Sequence, residues 1–94
     1  MKPFPVTCEG KCCWKGPSRV ILDSGGKATG VGWSEKHATV EECSKRCEEV
    51  ADCQAFHYYG VKDGHKTDCY LHKKGYISSH QIDGRDRFAG VCKP

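Results

Sequence analysis

Thr39-Val40-Glu41-Glu42-Cys43-Ser44-Lys45-Arg46-Cys47, followed by Cys53-Gln54-Ala55-Phe56 and then Cys69-Tyr70-Leu71, decides the reading of this chain. Thr39 is a good N-cap, and Glu42 three residues on completes a capping box. Two acids in the first turn suit the positive end of a helix dipole. Val40, Cys43, Cys47 and Val50 recur at helical spacing and make an apolar stripe, which predicts a helix over about 40–50. Residues four apart share a helix face, so Cys43 and Cys47 can point together at a sheet where Cys53 and Cys69 can meet them. Gln54-Ala55-Phe56-His57-Tyr58-Tyr59 and Asp68-Cys69-Tyr70-Leu71-His72 both read as strands, joined by a polar hairpin loop with a turn signal at Asp63-Gly64. Alternation places Phe56 and Tyr58 on one face and Ala55, His57 and Tyr59 on the other, and it puts Leu71 on the same face as Cys69, so that Leu71 packs beneath the helix if Cys69 bonds it.

Outward from this centre the signals weaken. Residues 1–7, with two prolines in the first five positions, read as a linker, which leaves a single domain over 8–94. Cys8, Cys12 and Cys13 crowd the next stretch. Arg19-Val20-Ile21-Leu22 is a strand candidate, and a glycine-rich loop follows from Asp23 to Gly30. Val31-Gly32-Trp33 is a candidate short edge strand. Ile77, Ile82 and Phe88 mark the last segments before Ala89-Gly90-Val91-Cys92.

The chain has 94 residues and eight cysteines. One domain of this size buries a limited core and often needs covalent help. A dense, even cysteine count marks an extracellular disulfide scaffold. Eight cysteines allow on the order of a hundred pairings, and the helix geometry removes many. No export signal or spanning segment is visible, so the expected parent is a larger secreted or cell-surface protein from which this domain is excised. A net charge of +3, from 15 basic and 12 acidic residues, is too mild to argue for nucleic acid. The absence of asparagine excludes N-glycosylation.

With the closing Phe88-Ala89-Gly90-Val91-Cys92, the Cys-x3-Cys helix, the Cys-x2-Phe strand and the Cys-x-Leu strand together resemble the PAN/apple domain over about residues 8–92. The resemblance implies an α+β fold: a curved antiparallel sheet of about five strands cradling one helix. It implies the bridges Cys43–Cys69 and Cys47–Cys53, and a third joining the termini from Cys92 to one of Cys8, Cys12 or Cys13. Three cysteines stand where the family pattern needs one. A bridge between adjacent Cys12 and Cys13 is strained, so Cys8 with one of them, and the other with Cys92, is the expectation. A pair reaching a neighbouring domain is the alternative. Family members include plasma serine protease zymogens, hepatocyte growth factor, leech anti-platelet proteins and the tandem arrays of apicomplexan microneme adhesins. The extra cysteines suit a tandem array, of the multi-apple microneme type found in Eimeria.

The resemblance implies a non-catalytic, secreted adhesion module, in the microneme case one stored in a secretory organelle. Its expected partner is a protein or glycan on a cell surface, a neighbouring apple domain or a partner adhesin. No nucleic acid, membrane insertion or cofactor is expected. A zinc set of Cys43, Cys47, Cys53 and His57 lacks the paired knuckles that zinc sites favour. Five histidines, His37, His57, His65, His72 and His80, are scattered, with no nucleophile set to meet them, and read as surface groups titrating normally. The Gly25-Gly26-Lys27-Ala28-Thr29 loop fails as a phosphate loop on its spacing and on Ala28. Asp83-Gly84-Arg85-Asp86 reads as a turn.

Two surfaces remain as binding candidates. Lys62, Lys66, Lys73 and Lys74, with Arg85 and Arg87, can form one basic patch on the hairpin, suited to a sulfated glycan such as heparin. Trp14, Trp33, Tyr58, Tyr59, Tyr70 and Tyr76 offer aromatic surface. Of these, Tyr59 and Tyr70, with His57, are expected on the sheet face turned away from the helix, the first candidate for a ligand surface. A structural spacer acting through domain–domain contacts is the remaining alternative.

Overall fold

The computed structural model describes residues 6–61, 67–81 and 85–93. Its elements run β1 (Val6–Glu9), β2 (Cys12–Ser24), β3 (Glu35–Lys36), α1 (Val40–Glu49), β4 (Ala55–Tyr59), β5 (Asp68–His72), β6 (Gly75–Gln81) and β7 (Arg87–Cys92). All strand pairings are antiparallel, in the order β1-β2-β7-β4-β5-β3, with β6 paired to the far half of β2. The fold is the expected α+β arrangement of one helix on an antiparallel sheet, with seven strands among the described residues where the resemblance implied about five.

The helix forms as its sequence dictates. Thr39 Oγ1 accepts the Glu42 N–H at 3.2 Å, and Glu42 Oε2 accepts the Ala38 N–H at 2.8 Å, one residue before the usual capping-box donor. At the other end the Val50 N–H donates to the Arg46 and Cys47 carbonyls before the chain turns extended. A helix of ten residues is marginal alone, so its stability comes from the face it buries. That face is Val40, Cys43, Ser44 and Cys47. Arg46 also reaches both Glu35 oxygens, at 3.0 and 3.2 Å, which ties the helix to β3.

Beneath the helix lies a core centred on Phe56, fully buried with Cys12, Cys43, Cys47 and Cys69. Trp14 meets the Phe56 ring edge-on, with centroids 6.3 Å apart. Tyr58 and Leu71 join this cluster, so the expected inward face of β4 and β5 is the observed one. Trp14, a candidate for exposed aromatic surface, is instead core, at 2 % exposure. Gly90 faces Phe56 across the β4–β7 pair, and a Cβ there would run into the Phe56 ring. Glycine at this position lets a large aromatic ring lie flat over the neighbouring strand.

Disulfides supply much of the remaining core. Cys43–Cys69 and Cys47–Cys53 are present as the resemblance implied. The amino-terminal trio resolves into Cys8–Cys13 and Cys12–Cys92. Strand register gives the reason. Cys8 stands opposite Cys13 in β1–β2, and Cys12 opposite Cys92 in β2–β7. Neighbours in a strand point to opposite faces, so Cys12 turns into the core while Cys13 turns away from it. The Sγ atoms of Cys12, Cys47 and Cys92 lie within 4.8 Å of one another, so two bridges pack together under the helix.

Three expectations need correction. Val31-Gly32-Trp33 is not a strand; the edge strand is Glu35–Lys36, whose polar residues pair with Cys69 and Asp68. β1 begins at Val6, inside the stretch read as linker. The Arg19–Leu22 candidate is part of a 13-residue strand. Gly16-Pro17 breaks the sequence signal in its middle, and the chain accommodates it with a register shift between Lys15 and Ser18, where Gly16 adopts φ +135°. The turn at Asp63-Gly64 lies outside the described residues.

Candidate functional site

The face of the sheet turned away from the helix divides into a covered half and an open half. Along β4 it carries Ala55, His57 and Tyr59, and along β7 it carries Arg87 and Ala89. Ala55 and Ala89 are fully buried. The β2–β6 ribbon lies against them: a Cβ at Gly75 would stand 2.9 Å from Ala55 Cβ and 3.3 Å from Leu22 Cδ1. Val20 is buried on this side too, and the ribbon is pinned by a 2.7 Å hydrogen bond between Ser18 Oγ and His80 Nε2.

The open half is a chain of touching rings. His57 pairs with Tyr70 across β4–β5, and Tyr59 with Arg87 across β4–β7. The His57 and Tyr70 rings stack with centroids 4.3 Å apart and planes 15° apart. Tyr59 meets Tyr70 edge-on at 5.8 Å. The Arg87 guanidinium lies 4.9 Å over the Tyr59 ring. Trp33, from the loop before β3, sets its ring perpendicular to Tyr70 at 6.2 Å while remaining 78 % exposed. Edge-to-face and stacked contacts of this kind hold aromatic rings in fixed orientations.

Between the two halves sits a histidine pair. His72 follows Tyr70 by two on β5 and so shares its face. Its Nε2 lies 2.9 Å from His57 Nδ1, a hydrogen bond that needs one ring nitrogen to donate and the other to accept. Burial drives the His57 pKa down to about 3, with His72 and Arg87 adding to the effect. Burial lowers that of His72 as well, partly opposed by the Gly26 backbone. His80 is lowered by burial and then by Lys15. The sequence reading of ordinary surface histidines is therefore wrong for these three: both imidazoles of the pair are held neutral at neutral pH. Burial also raises the Tyr70 hydroxyl, with Asp68 and Tyr59 contributing, so the ring stays an uncharged donor.

The sequence-derived candidates are thus partly gathered. His57, Tyr59 and Tyr70 come together as expected. Trp33, His72 and Arg87 join them, and only His72 had a sequence signal for its place, its alternation with Tyr70 along one strand. Trp33 lies in a loop 37 positions earlier, and nothing local predicts their contact. Lys73 and Lys74 are exposed at the β5–β6 turn, while Lys62 and Lys66 lie outside the described residues. Arg87 lies over the Tyr59 ring, at the edge of the aromatic face. Lys73 lies near Asp52, whose carboxyl is held below its ordinary range first by Thr29 hydrogen bonds and then weakly by this lysine. The glycine-rich segment is pinned to β5 and the following turn: Ala28 N–H donates to Leu71 O, Lys73 N–H to Gly26 O, and Gly25 N–H to Lys74 O. All eight cysteines are in bridges, so the sulfurs of the Cys43, Cys47 and Cys53 set are not thiolates that could hold zinc.

No solved structure was found to match the chain. A family model described as the PAN domain matches residues 19–93, from the second half of β2 to the end of β7. PAN domains are non-catalytic modules that bind proteins or carbohydrates, and disulfide-rich ones are typical of extracellular proteins. The matched span contains the helix, its two bridges, the Phe56 core and Cys92, and on it the chain belongs to the PAN domain family.

Proposed function

We propose that this domain is an adhesion module of a secreted protein, of the tandem microneme type, and that it holds a protein or glycan on a cell surface through the open half of its sheet. The observation that carries this reading is Trp33. Its ring is 78 % exposed yet braced against Tyr70, which itself rests on His57. A large aromatic side chain held out into water in a fixed orientation costs little further entropy on binding and presents a flat apolar surface. Such surfaces anchor protein partners and stack on sugar rings. Arg87 over Tyr59 adds a hydrogen-bond donor at the rim.

The test is a screen of the folded domain against glycan and cell-surface protein arrays, followed by titration of any hit with Trp33→Ala and Tyr70→Ala. Loss of at least about ten-fold in affinity for both variants is expected, since anchors of this kind carry about 1.4 kcal/mol or more each. Undiminished binding by both variants refutes the assignment to this face. The exposed Lys73 and Lys74 favour a second reading, a sulfated glycan bound at the β5–β6 turn. Lys73→Ala/Lys74→Ala then removes binding, and added salt weakens it steeply.

A further inference from the structure

Three of the four bridges are sealed in the core: both cysteines of Cys12–Cys92, of Cys43–Cys69 and of Cys47–Cys53 are buried. Cys8–Cys13 differs, with Cys8 exposed and Cys13 half-buried. The two stand directly opposite in the β1–β2 register, on the sheet face turned away from the core. The pair also precedes residue 19, so it lies outside the span matched by the PAN model, which contains both bridges of the helix.

What this bridge holds is β1. All four residues of that strand are exposed, and none contributes to the core. Among the described strands β1 pairs with β2 alone. A short pairing with no buried face is marginal in water. The chain that follows is secured independently. The Lys11 N–H donates to Glu48 Oε1 at 2.6 Å, and the Lys11 carbonyl accepts the Lys93 N–H at 2.8 Å. Cys12 is bridged to Cys92, and Cys12 to Lys15 pair with β7 on the other side of β2. Between the secured and the unsecured parts stands Gly10, at φ +58°. Glycine moves between backbone regions at little steric cost, which suits it to a pivot.

We infer that Cys8–Cys13 is a redox-operated clasp: a dithiol reductant opens it while the other three bridges stay closed, and β1 then leaves the sheet about Gly10. Thiol–disulfide exchange needs access to a sulfur, which burial denies to the other bridges. A thiolate of the reductant attacks Cys8 Sγ and bonds to it. The Cys8–Cys13 bond breaks, and Cys13 leaves as a thiolate that takes up a proton. The second thiol of the reductant then displaces the Cys8 thiol and closes the reductant's own disulfide. Two electrons and the two protons of the reductant's thiols have passed to the pair. The bridge spans only 5 positions, so the rest of the fold depends little on its closure. Opening turns an ordered strand into a free segment and bares the backbone of β2 from Cys12 to Lys15, an edge able to accept another strand.

The test treats the folded domain with graded mixtures of reduced and oxidised dithiothreitol under native conditions. Free thiols are trapped with an alkylating reagent and mapped by mass spectrometry, and the same samples are followed by ¹⁵N NMR. Cys8 and Cys13 are expected to label at a dithiol ratio at least about ten-fold below that needed for any cysteine of the other bridges. At that point the amides of Val6 to Glu9 should move to unstructured shifts, while those of the helix, Phe56 and Leu71 stay in place. Cys8→Ser/Cys13→Ser should show the same open β1 on an intact core without reductant. Another bridge opening first or together with this one, an open pair with β1 still in place, or loss of the Phe56 and helix shifts alongside β1 would each overturn the inference. So would a double variant that keeps β1 on the sheet or does not fold, since the hinge at Gly10 makes the bridge a local restraint.

Discussion

Acid should loosen this domain through His57, by an amount that can be worked out. The ring is stacked on Tyr70, hydrogen-bonded to His72 and close to Arg87, all on the half-covered face. Burial, then the two neighbours, hold its pKa at about 3 in the folded protein. In the unfolded chain a histidine titrates near 6.5. Between these values the unfolded state binds more protons than the folded one, so stability rises with pH through that window. The contribution is complete above about pH 6.5 and is lost as pH falls below it, the loss levelling off near the folded pKa. At about pH 5, some 1.5 pH units under the unfolded value, His57 alone costs about 2 kcal/mol. His72 and His80 are lowered too and act in the same direction. The assay is guanidinium unfolding under non-reducing conditions, followed by tryptophan fluorescence at about pH 7.5 and about pH 5, for the natural chain and for His57→Gln. Glutamine removes the titration and forfeits part of the Tyr70 stack, about 0.5–1.5 kcal/mol at both pH values, which cancels in the comparison. The natural chain should lose about 2 kcal/mol more than the variant between the two conditions. Equal losses would refute the reasoning, because they would mean that His57 is not held neutral by its surroundings.

Other outcomes follow from single contacts. Gly90→Ala places a methyl group in the Phe56 ring and 3.0 Å from Trp14 Cβ, so thermal unfolding should show a loss of about 1–3 kcal/mol, partly restored by Phe56→Leu in the same chain. Thr39→Ala removes the helix cap and should cost about 1 kcal/mol, with no change in the bridges on disulfide mapping. Cys12 and Cys92 are 80 positions apart and Cys8 and Cys13 only 5. Replacing the first pair with serine should therefore cost about 4–5 kcal/mol by loop entropy, and the second pair about 2 kcal/mol. A larger loss of denaturation midpoint for the Cys8/Cys13 variant would invert that ranking and contradict the structure.

The helix, its capping box and the strands at Phe56 and Leu71 were legible from residue pattern because each is a local feature. Helical spacing, strand alternation and turn chemistry act over a few positions and leave a readable trace. The cysteine spacing then limited how these pieces could meet. The β6 strand left little trace: Tyr76-Ile77-Ser78-Ser79-His80 is half-polar and pairs only along one edge with β2. Gly16-Pro17 hid the length of β2 because a bulge, not a strand end, answers it. The pairing of Cys8, Cys12 and Cys13 could be narrowed by avoiding a vicinal bridge, but register chose the partners, since it sets which strand each sulfur faces.

The sequence by itself determined that a helix bearing Cys43 and Cys47 would be bound to a sheet, and that His57, Tyr59 and Tyr70 would share the opposite face. Only the tertiary structure decided which part of that face is open. The β2–β6 ribbon buries Ala55 and Ala89, while Trp33 arrives from a distant loop to complete the ring stack. It also decided that His57 and His72 are neutral partners, not surface groups. Burial and charge depend on what the rest of the chain brings close, and alternation along one strand carries no information about what lies over it.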